Sequence, residues 1–262
     1  MFLKKYNIKL KTAEEIEKMR VAGKVVGEIL FELSSIIKPG ITTKYIDDFV
    51  ENYIRSLNMI PAFLGVDGTN YPFPASACIS VNNEIVHGIP NTLRILEFGD
   101  IVSVDIGVIY QNYYSDASKT YAVGNISNVA SKLIRITELS LYKGIEQILP
   151  GNRIGDISNA IQKTVEDSGF FVVKNLVGHG IGKELHEDPQ IPNYGEAGVG
   201  IKLLPGMVFA IEPMVNVGTC DVCTLDNGWT IVTKDGSLSA HFEHTVAITE
   251  FGYEILTRGY NI

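Results

Sequence analysis

Cysteine is scarce in this sequence of 262 residues, which contains only Cys78, Cys220 and Cys223. An odd count without scaffold-like spacing excludes a disulfide framework and favours a reducing compartment. Cys220 and Cys223 form one C-x-x-C pair. A structural zinc site needs four ligands, so we expect an ordinary hairpin loop there rather than a zinc knuckle.

Basic charge and long apolar runs are also lacking. The formal net charge is −8, which argues against a nucleic-acid binder because such a protein needs a basic face. No apolar run approaches the roughly 18 residues that span a bilayer, and the first twenty residues show no signal-peptide pattern. We therefore expect a cytoplasmic protein without membrane or nucleic-acid partners.

Hydrophobic residues are plentiful, at 45% of the chain, and their spacing predicts two pairs of helices. Thr12 and Glu15 form a capping-box pattern that begins the first helix, which Pro39-Gly40 ends. Residues 42–57 predict the second helix. Residues 131–149, closed by Pro150-Gly151, and residues 155–169 repeat the arrangement.

The two halves of the sequence resemble each other beyond their helices. Residues 98–107 and 205–214 align as strands, and Asp105 falls on Glu212. The second helices of the two halves share an apolar face, formed by Ile46, Val50 and Ile54 and by Ile157, Ile161 and Val165. We expect residues 1–262 to form a single α+β domain of two pseudo-symmetric helix–sheet halves, roughly 12–123 and 124–250.

Two acids stand out in the first half, because their surroundings are typical of core strands. Asp105 interrupts an apolar strand, and Asp116 follows a predicted turn centred on Tyr110-Gln111. This turn places the two acids opposite each other, with side chains about 5 Å apart. Two such carboxylates repel each other unless one keeps its proton or a cation lies between them.

The second half adds Glu212, Glu243 and, in a glycine-rich stretch, His179. Strand alternation puts Glu243 on one face and His244 on the other, so we interpret His244 and the nearby His241 as structural. Four carboxylates and one imidazole suit Mn, Fe, Co or Zn. The number of acids fits two ions about 3.5–4 Å apart that share bridging acids and a hydroxide, and hydrolysis is the chemistry such a pair serves.

Taken in order, these five residues resemble the metal ligands of the methionine aminopeptidase family. The stretches CISVNNEIVHGIP, GHGIGKELHEDP, MVFAIEPM and DGSLSAHFEHT resemble that family's blocks, and the similarity runs from about residue 12 to the end. The resemblance implies the pita-bread fold around a dinuclear metal site. Glu212 and Glu243 are 31 residues apart, which leaves no room for the type II insertion and favours the short bacterial type I form.

The resemblance also implies roles for the five residues. Asp105 is expected to chelate one metal, Asp116 and Glu243 to bridge both, and His179 and Glu212 to complete the other. Glu212 is further expected to act as general base and acid through a hydroxide that bridges the metals.

Two histidines and a pocket follow from the same resemblance. His87 is expected near the scissile amide, and His186 is expected to stabilise the tetrahedral intermediate. The methionine pocket is expected to be apolar, with walls that include Phe73, Cys78, Leu185 and Trp229. Phe73 and Leu185 differ from commoner bacterial patterns, which leaves the exact shape of the pocket open.

The implied function is removal of the initiator methionine from nascent proteins after deformylation, with a preference for a small second residue. The family is usually monomeric, which makes a monomer the expectation, whereas the sequence leaves the oligomeric state and any contact with the ribosome open. The ligand set tolerates several metals, so the cellular metal stays open. Two alternatives remain: a prolidase or Xaa-Pro aminopeptidase, which usually carries a large N-terminal domain, and a non-catalytic pita-bread binding protein, which typically loses ligands.

Overall fold

Each half of the chain begins with two helices. A computed structural model describes residues 7–68 and 70–259. Its helices are α1 (Ala13–Ile36), α2 (Thr43–Ser56), α3 (Asn128–Ile145) and α4 (Ile154–Glu166). The two predicted helix pairs are therefore confirmed, with ends that shift by a few residues.

Local capping explains where α1 and α2 begin. Thr12 Oγ1 accepts a hydrogen bond from the Glu15 amide at 3.3 Å, and the Glu15 carboxylate accepts one from the Thr12 amide at 2.9 Å. This is the predicted capping box, which satisfies two amides that the first turn leaves free. Thr42 caps α2 with a single hydrogen bond, which its side chain accepts from the Tyr45 amide. The apolar faces predicted for α2 and α4 are fully buried.

Strands make up the remaining regular structure of the described residues. They are β1 (Ile60–Pro61), β2 (Ala77–Val81), β3 (Glu84–Val86), β4 (Ile101–Tyr110), β5 (Tyr113–Ala122), β6 (Phe171–Val172), β7 (Gly178–Gly180), β8 (Glu187–Ile191), β9 (Val208–Ile211), β10 (Met214–Asn216), β11 (Val222–Thr224), β12 (Ile231–Thr233), β13 (Ser239–His241), β14 (His244–Thr249) and β15 (Gly252–Ile255). One sheet, β1-β4-β2 with β5 beside β4, belongs to the first half. Its counterpart in the second half is β15-β14-β9-β7-β8.

Two smaller sheets complete the topology. One has the order β13-β10-β6 and lies within the second half. The other has the order β11-β12-β3, so the β11–β12 hairpin pairs with a strand of the first half. The halves are thus connected through backbone pairing as well as through side chains.

The β4–β5 hairpin corrects one prediction. Tyr110 pairs with Tyr113, so the turn is formed by Gln111 and Asn112, which have φ angles of 47° and 65°. Two-residue hairpin turns favour positive φ at both positions, and asparagine tolerates this conformation well. The predicted turn at Tyr110-Gln111 is therefore wrong, and the register shifts by two residues.

A direct seam joins the two halves beside this hairpin. The Thr120 hydroxyl donates to the His241 carbonyl at 2.9 Å and accepts from the His241 amide at 3.0 Å. Further along β5, the Glu243 amide donates to the Ser118 carbonyl at 2.9 Å. The seam brings residues 241–245 of the second half against the strand that carries Asp116.

The apolar core lies mainly in two clusters, one for each half. One cluster extends from Ala22 to Val123, under α1 and α2. The other extends from Ala130 to Ile248, under α3 and α4, and includes Ile101 of the first half. In the part of the chain that the structure describes, no helix has the length and apolar character needed to cross a membrane.

Candidate active site

Asp105 and Asp116 lie on the same face of the β4–β5 hairpin. Asp105 pairs with Ser118 and Asp116 pairs with Gly107, so the two acids are diagonal neighbours rather than opposed residues. A register shift of two residues keeps both side chains on one face, so their predicted proximity holds although the pairing does not. Gly107 leaves space for Phe63, because a Cβ there would lie 2.7 Å from that ring.

Glu212 and Glu243 approach the same face from the second half. Glu212 directly follows β9, and Glu243 directly precedes β14, whose strand pairs with β9. Glu243 is buried, whereas Glu212 keeps 14% of its side-chain surface open to the cavity. Both acids therefore lie at the end of a strand, at the point where the two halves meet.

His179 lies on β7, an interior strand of its sheet between β8 and β9. Its Nδ1 lies 2.9 Å from the Gly180 carbonyl. A carbonyl oxygen can only accept, so Nδ1 carries the proton and Nε2 is left with a free lone pair. Nε2 lies 3.5 Å from a Glu212 oxygen and 3.8 Å from an Asp116 oxygen. Burial lowers the pKa of His179 to about 4, so the ring is neutral at pH 7.

The four carboxyl groups have an electrostatic conflict. Burial and, next, the Asp116 charge raise the pKa of Asp105 well above its ordinary value. Burial followed by the charges of the neighbouring acids likewise raises the pKa values of Glu212 and Glu243. Burial raises the pKa of Asp116 to about 6. Each acid would hold its proton more tightly than an exposed carboxyl group unless positive charge were close by.

A divalent cation fits this group of side chains. Ligand atoms of Asp116, His179 and Glu243 all lie within 4.8 Å of one another. Asp105 Oδ1 is buried and has no hydrogen-bond partner among the described residues. Oxygen donors with one neutral imidazole nitrogen form a ligand set suited to such ions. The four predicted acids and His179 also line one cavity of about 670 Å³.

His87 and His186 line the same cavity. His87 follows β3 and has a φ angle of 58°, a conformation that non-glycine residues rarely adopt. Burial and the nearby His186 lower its pKa to about 4. The His186 ring lies 4.5 Å from the His179 ring, edge to face, and burial lowers the pKa of His186 as well. Both rings are therefore neutral at pH 7.

One side of the cavity is apolar. The predicted wall residues Phe73, Cys78, Leu185 and Trp229 all line it. The rings of Phe73 and Trp229 meet edge to face at 5.1 Å, and the indole nitrogen donates to the Tyr71 carbonyl at 3.1 Å. The structure adds Phe63 and Val66, which the sequence did not indicate because they lie in a loop without a strand or helix period.

Both His241 and His244 were predicted to be structural; the position of His241 differs from this prediction, whereas that of His244 agrees with it. His241 lines the cavity, and its Nε2 lies 3.7 Å from Glu212 Oε2 without a hydrogen-bond partner in residues 7–68 and 70–259. His244 is hydrogen-bonded instead to Tyr142 and Thr257. The signal for His241 was present: it lies two residues before Glu243, and alternation puts such residues on one face.

Cys78 is the cysteine that contributes to this site. It pairs with Asp105 across β2 and β4, and burial raises the pKa of its thiol well above the ordinary value. The thiol is therefore protonated and acts as a small apolar wall. Cys220 and Cys223 are free thiols at the β11 hairpin, outside the cavity lining.

Residues 17–250 match the sequence profile described as metallopeptidase family M24. The chain belongs to this family. Since M24 proteins are metallopeptidases, the cluster of Asp116, His179 and Glu243 is a possible metal site on grounds independent of its geometry. The shared fold is the pita-bread fold of two helix–sheet halves.

Relatives within M24 carry more specific names. A methionine aminopeptidase of Clostridium acetobutylicum is 54% identical, over 95% of this chain and 98% of its own length. The crystal structure of a methionine aminopeptidase from Thermotoga maritima aligns with a TM-score of 0.92 at 49% identity, covering 96% of this chain and 99% of the other. A prolidase from Pyrococcus furiosus aligns with a TM-score of 0.72 at 24% identity, covering 95% of this chain and 65% of its own. The prolidase shows the shared fold alone.

Proposed function

We propose that this metallopeptidase removes the initiator methionine from newly made proteins. The observation that carries the proposal is the convergence of four acids and a neutral imidazole beside an apolar wall in one cavity. The names of relatives that are 54% and 49% identical support the methionine preference. The reaction adds water across the first peptide bond and releases methionine and the shortened chain.

Five side chains are proposed to hold two divalent metal ions. Asp105 would chelate one ion, Asp116 and Glu243 would bridge both, and His179 and Glu212 would complete the second. The close approach of the acids and the unpartnered Asp105 Oδ1 support this assignment. Bound metal would polarise the scissile carbonyl and supply a nucleophile at neutral pH. Mn, Fe, Co and Zn all suit the donors, so the metal has to be determined by experiment.

Glu212 is proposed to carry the proton of the reaction. It would take a proton from the attacking water and give it to the amine that leaves. Burial raises the pKa of Glu212 well above its ordinary value, and a carboxylate with a raised pKa accepts a proton more readily than an exposed one. The neutral rings of His87 and His186 are proposed to bind the scissile amide and to stabilise the tetrahedral intermediate, respectively.

The apolar wall is proposed to bind the methionine side chain. Trp229, Phe73, Leu185 and Cys78 offer a flexible thioether an apolar surface with aromatic edges. A bulky second residue would collide with the site, so we expect a preference for small ones. Deformylation would come first, since it frees the α-amine. We further propose that the chain acts in the cytoplasm as a monomer, near the ribosome, through a single catalytic domain with halves at 12–123 and 124–250.

Peptide hydrolysis after chelation tests the function. The chelated protein should be inactive, and activity on Met-Ala-Ser should return with one or more of Mn, Fe, Co and Zn added separately. Cleavage of an Xaa-Pro peptide in place of Met-Ala-Ser would select the prolidase alternative. Absence of metal-dependent turnover on every peptide would select the binding-protein alternative.

The exchange Glu212→Gln tests the proton carrier. The variant should fold and lose nearly all activity, because an amide cannot carry the proton. Glu84→Gln is the matched control: Glu84 is a partly buried glutamate whose pKa burial also raises, and it lies outside the cavity lining. Near-normal turnover in Glu212→Gln would refute the assigned role.

A further inference from the structure

The segment before α1 lies against the loop that carries Leu185 and His186. Every second residue of the segment contacts this loop or the start of β8. The Asn7 amide donates to Asp188 at 2.9 Å, and Lys9 Nζ lies 3.4 Å from Glu184. Lys11 Nζ donates to Glu187 Oε2 at 2.7 Å.

The pair Lys11–Glu187 differs from the pair Lys9–Glu184 in its burial. The side chains of Lys11 and Glu187 are only 6% and 3% exposed, against 46% and 67% for Lys9 and Glu184. Exposed pairs contribute little to a structure, whereas removing one partner of a buried pair leaves an uncompensated charge. Lys11 is therefore the lysine of this segment whose removal would leave a buried carboxylate without its bonded cation.

Glu187 also binds backbone amides of the loop. Its Oε1 accepts hydrogen bonds from the amides of Lys183 at 2.9 Å and Glu184 at 3.4 Å. One carboxylate thus binds two loop amides through one oxygen and the Lys11 ammonium through the other. Without Lys11, the carboxylate would be buried with no cation bonded to it. Opening of the loop would then be favourable, because it would expose the unpaired carboxylate to water.

The side chains of this pair are tightly packed against Gly182. A Cβ on Gly182 would lie 2.5 Å from Lys11 Cε and 2.7 Å from Glu187 Oε1. The Gly182 carbonyl accepts from the Tyr114 amide of β5 at 2.8 Å, which ties the loop to the strand of Asp116. The Lys11 amide donates to the Gly206 carbonyl at 2.7 Å, which fixes the segment itself.

We propose that Lys11 is a positioning residue that holds the loop of residues 182–187, so that His186 and Leu185 face the cavity. The proposal rests on the role assigned to His186 under the proposed function. Lys11 acts on the reaction through this loop and touches no reacting atom.

The exchange Lys11→Met tests the proposal, with Lys143→Met as the control, because Lys143 on α3 pairs with Glu146 at the surface and lies outside the cavity lining. Lys11→Met keeps the length of the side chain and removes its charge. We expect kcat/KM on Met-Ala-Ser to fall at least tenfold in Lys11→Met and to stay within twofold of wild type in Lys143→Met. In a His186→Ala background, Lys11→Met should cause a smaller loss, because the part of its effect that acts through His186 is already removed. A value within twofold of wild type, or an equal loss in both backgrounds, would overturn the proposal.

Amide hydrogen exchange gives a readout that needs no activity. The amides of Lys183 and Glu184 should exchange faster in Lys11→Met and in the milder variant Glu187→Gln, while amides of α3 keep their wild-type rates. Unchanged exchange at both loop amides would also overturn the proposal. A wild-type protein that cleaves no methionyl peptide would instead refute the proposed function, and the exchange comparison would still decide whether Lys11 holds the loop.

Discussion

The Thr245 hydroxyl contacts three polar atoms of Asp116 across the seam between the halves. The Asp116 amide donates to the Thr245 hydroxyl at 3.0 Å, and that hydroxyl lies 2.8 Å from the Asp116 carbonyl and 3.0 Å from its carboxylate. Both residues are buried. The hydroxyl therefore fixes the backbone and the side chain of a proposed bridging acid at once.

Thr245→Val should weaken both the fold and the metal site. It leaves a buried amide unpaired, which costs about 1–3 kcal/mol of the free energy of unfolding. Urea unfolding measures this cost, and Mn²⁺ titration of the chelated protein measures the metal affinity. Thr164→Val is the control, since the Thr164 hydroxyl donates to the Ala160 carbonyl within α4, away from the proposed ligands. Equal metal affinity in the two variants would contradict the prediction.

Metal should stabilise the protein more at pH 8 than at pH 5. The carboxyl pKa values are raised in the folded state, to about 6 for Asp116. The metal-free protein therefore loses stability as pH rises from about 4, the unfolded value, through the folded values. Below the folded-state pKa values, protons compete with the cation for the carboxylates. Above them, the cation offsets the repulsion between the ionised carboxylates. The shift of Tm on adding Mn²⁺, measured at both pH values, checks this; a larger shift at pH 5 would contradict it.

His241→Leu and His244→Leu should have opposite consequences. His241 faces Glu212 from the cavity wall, so its loss should lower turnover about tenfold, the equivalent of one weak interaction. His244 bonds to Tyr142 and Thr257, so its loss should cost stability, about 1–3 kcal/mol, at unchanged turnover per folded molecule. Peptide assays and urea unfolding of the two variants separate the effects. A His241→Leu protein with wild-type turnover would contradict the predicted effect of His241 on Glu212.

Trp229 should report directly on the pocket, because it is the chain's only tryptophan. Methionine, the proposed product, should change the indole emission on binding, since its thioether would lie against the ring beside Phe73. Alanine is the control, because its methyl group is too short to reach the indole. Emission that responds to neither amino acid, or equally to both, would argue against Trp229 as a wall of the methionine pocket.

Local features of the fold were predictable from the sequence. The capping box at Thr12 and the apolar faces of α2 and α4 follow from spacing within a few residues. The correspondence between Asp105 and Glu212 could also be recognised from the sequence, since both acids come after the same pattern of strand residues. The turn was misplaced by one residue, although Asn112, which tolerates positive φ, was a signal for the observed one.

Contacts between distant segments were not predictable in the same way. The bonds of Asp116 to Thr245 and of Lys11 to Glu187 join residues 129 and 176 positions apart. Neither helix nor strand periodicity carries information over such separations. Phe63 and Val66 entered the cavity wall for the same reason, as loop residues placed by the packing around them.

The sequence by itself determined the helices and the repeated strand pattern, because each depends on residue type and short-range period, and it supplied the five side chains that we propose as metal ligands. Only the tertiary structure decided how these side chains face one another and which neighbours hold them. The physical reason is that local spacing sets which face a side chain occupies. The position of that face in space depends on the packing of two halves whose contacts span most of the chain.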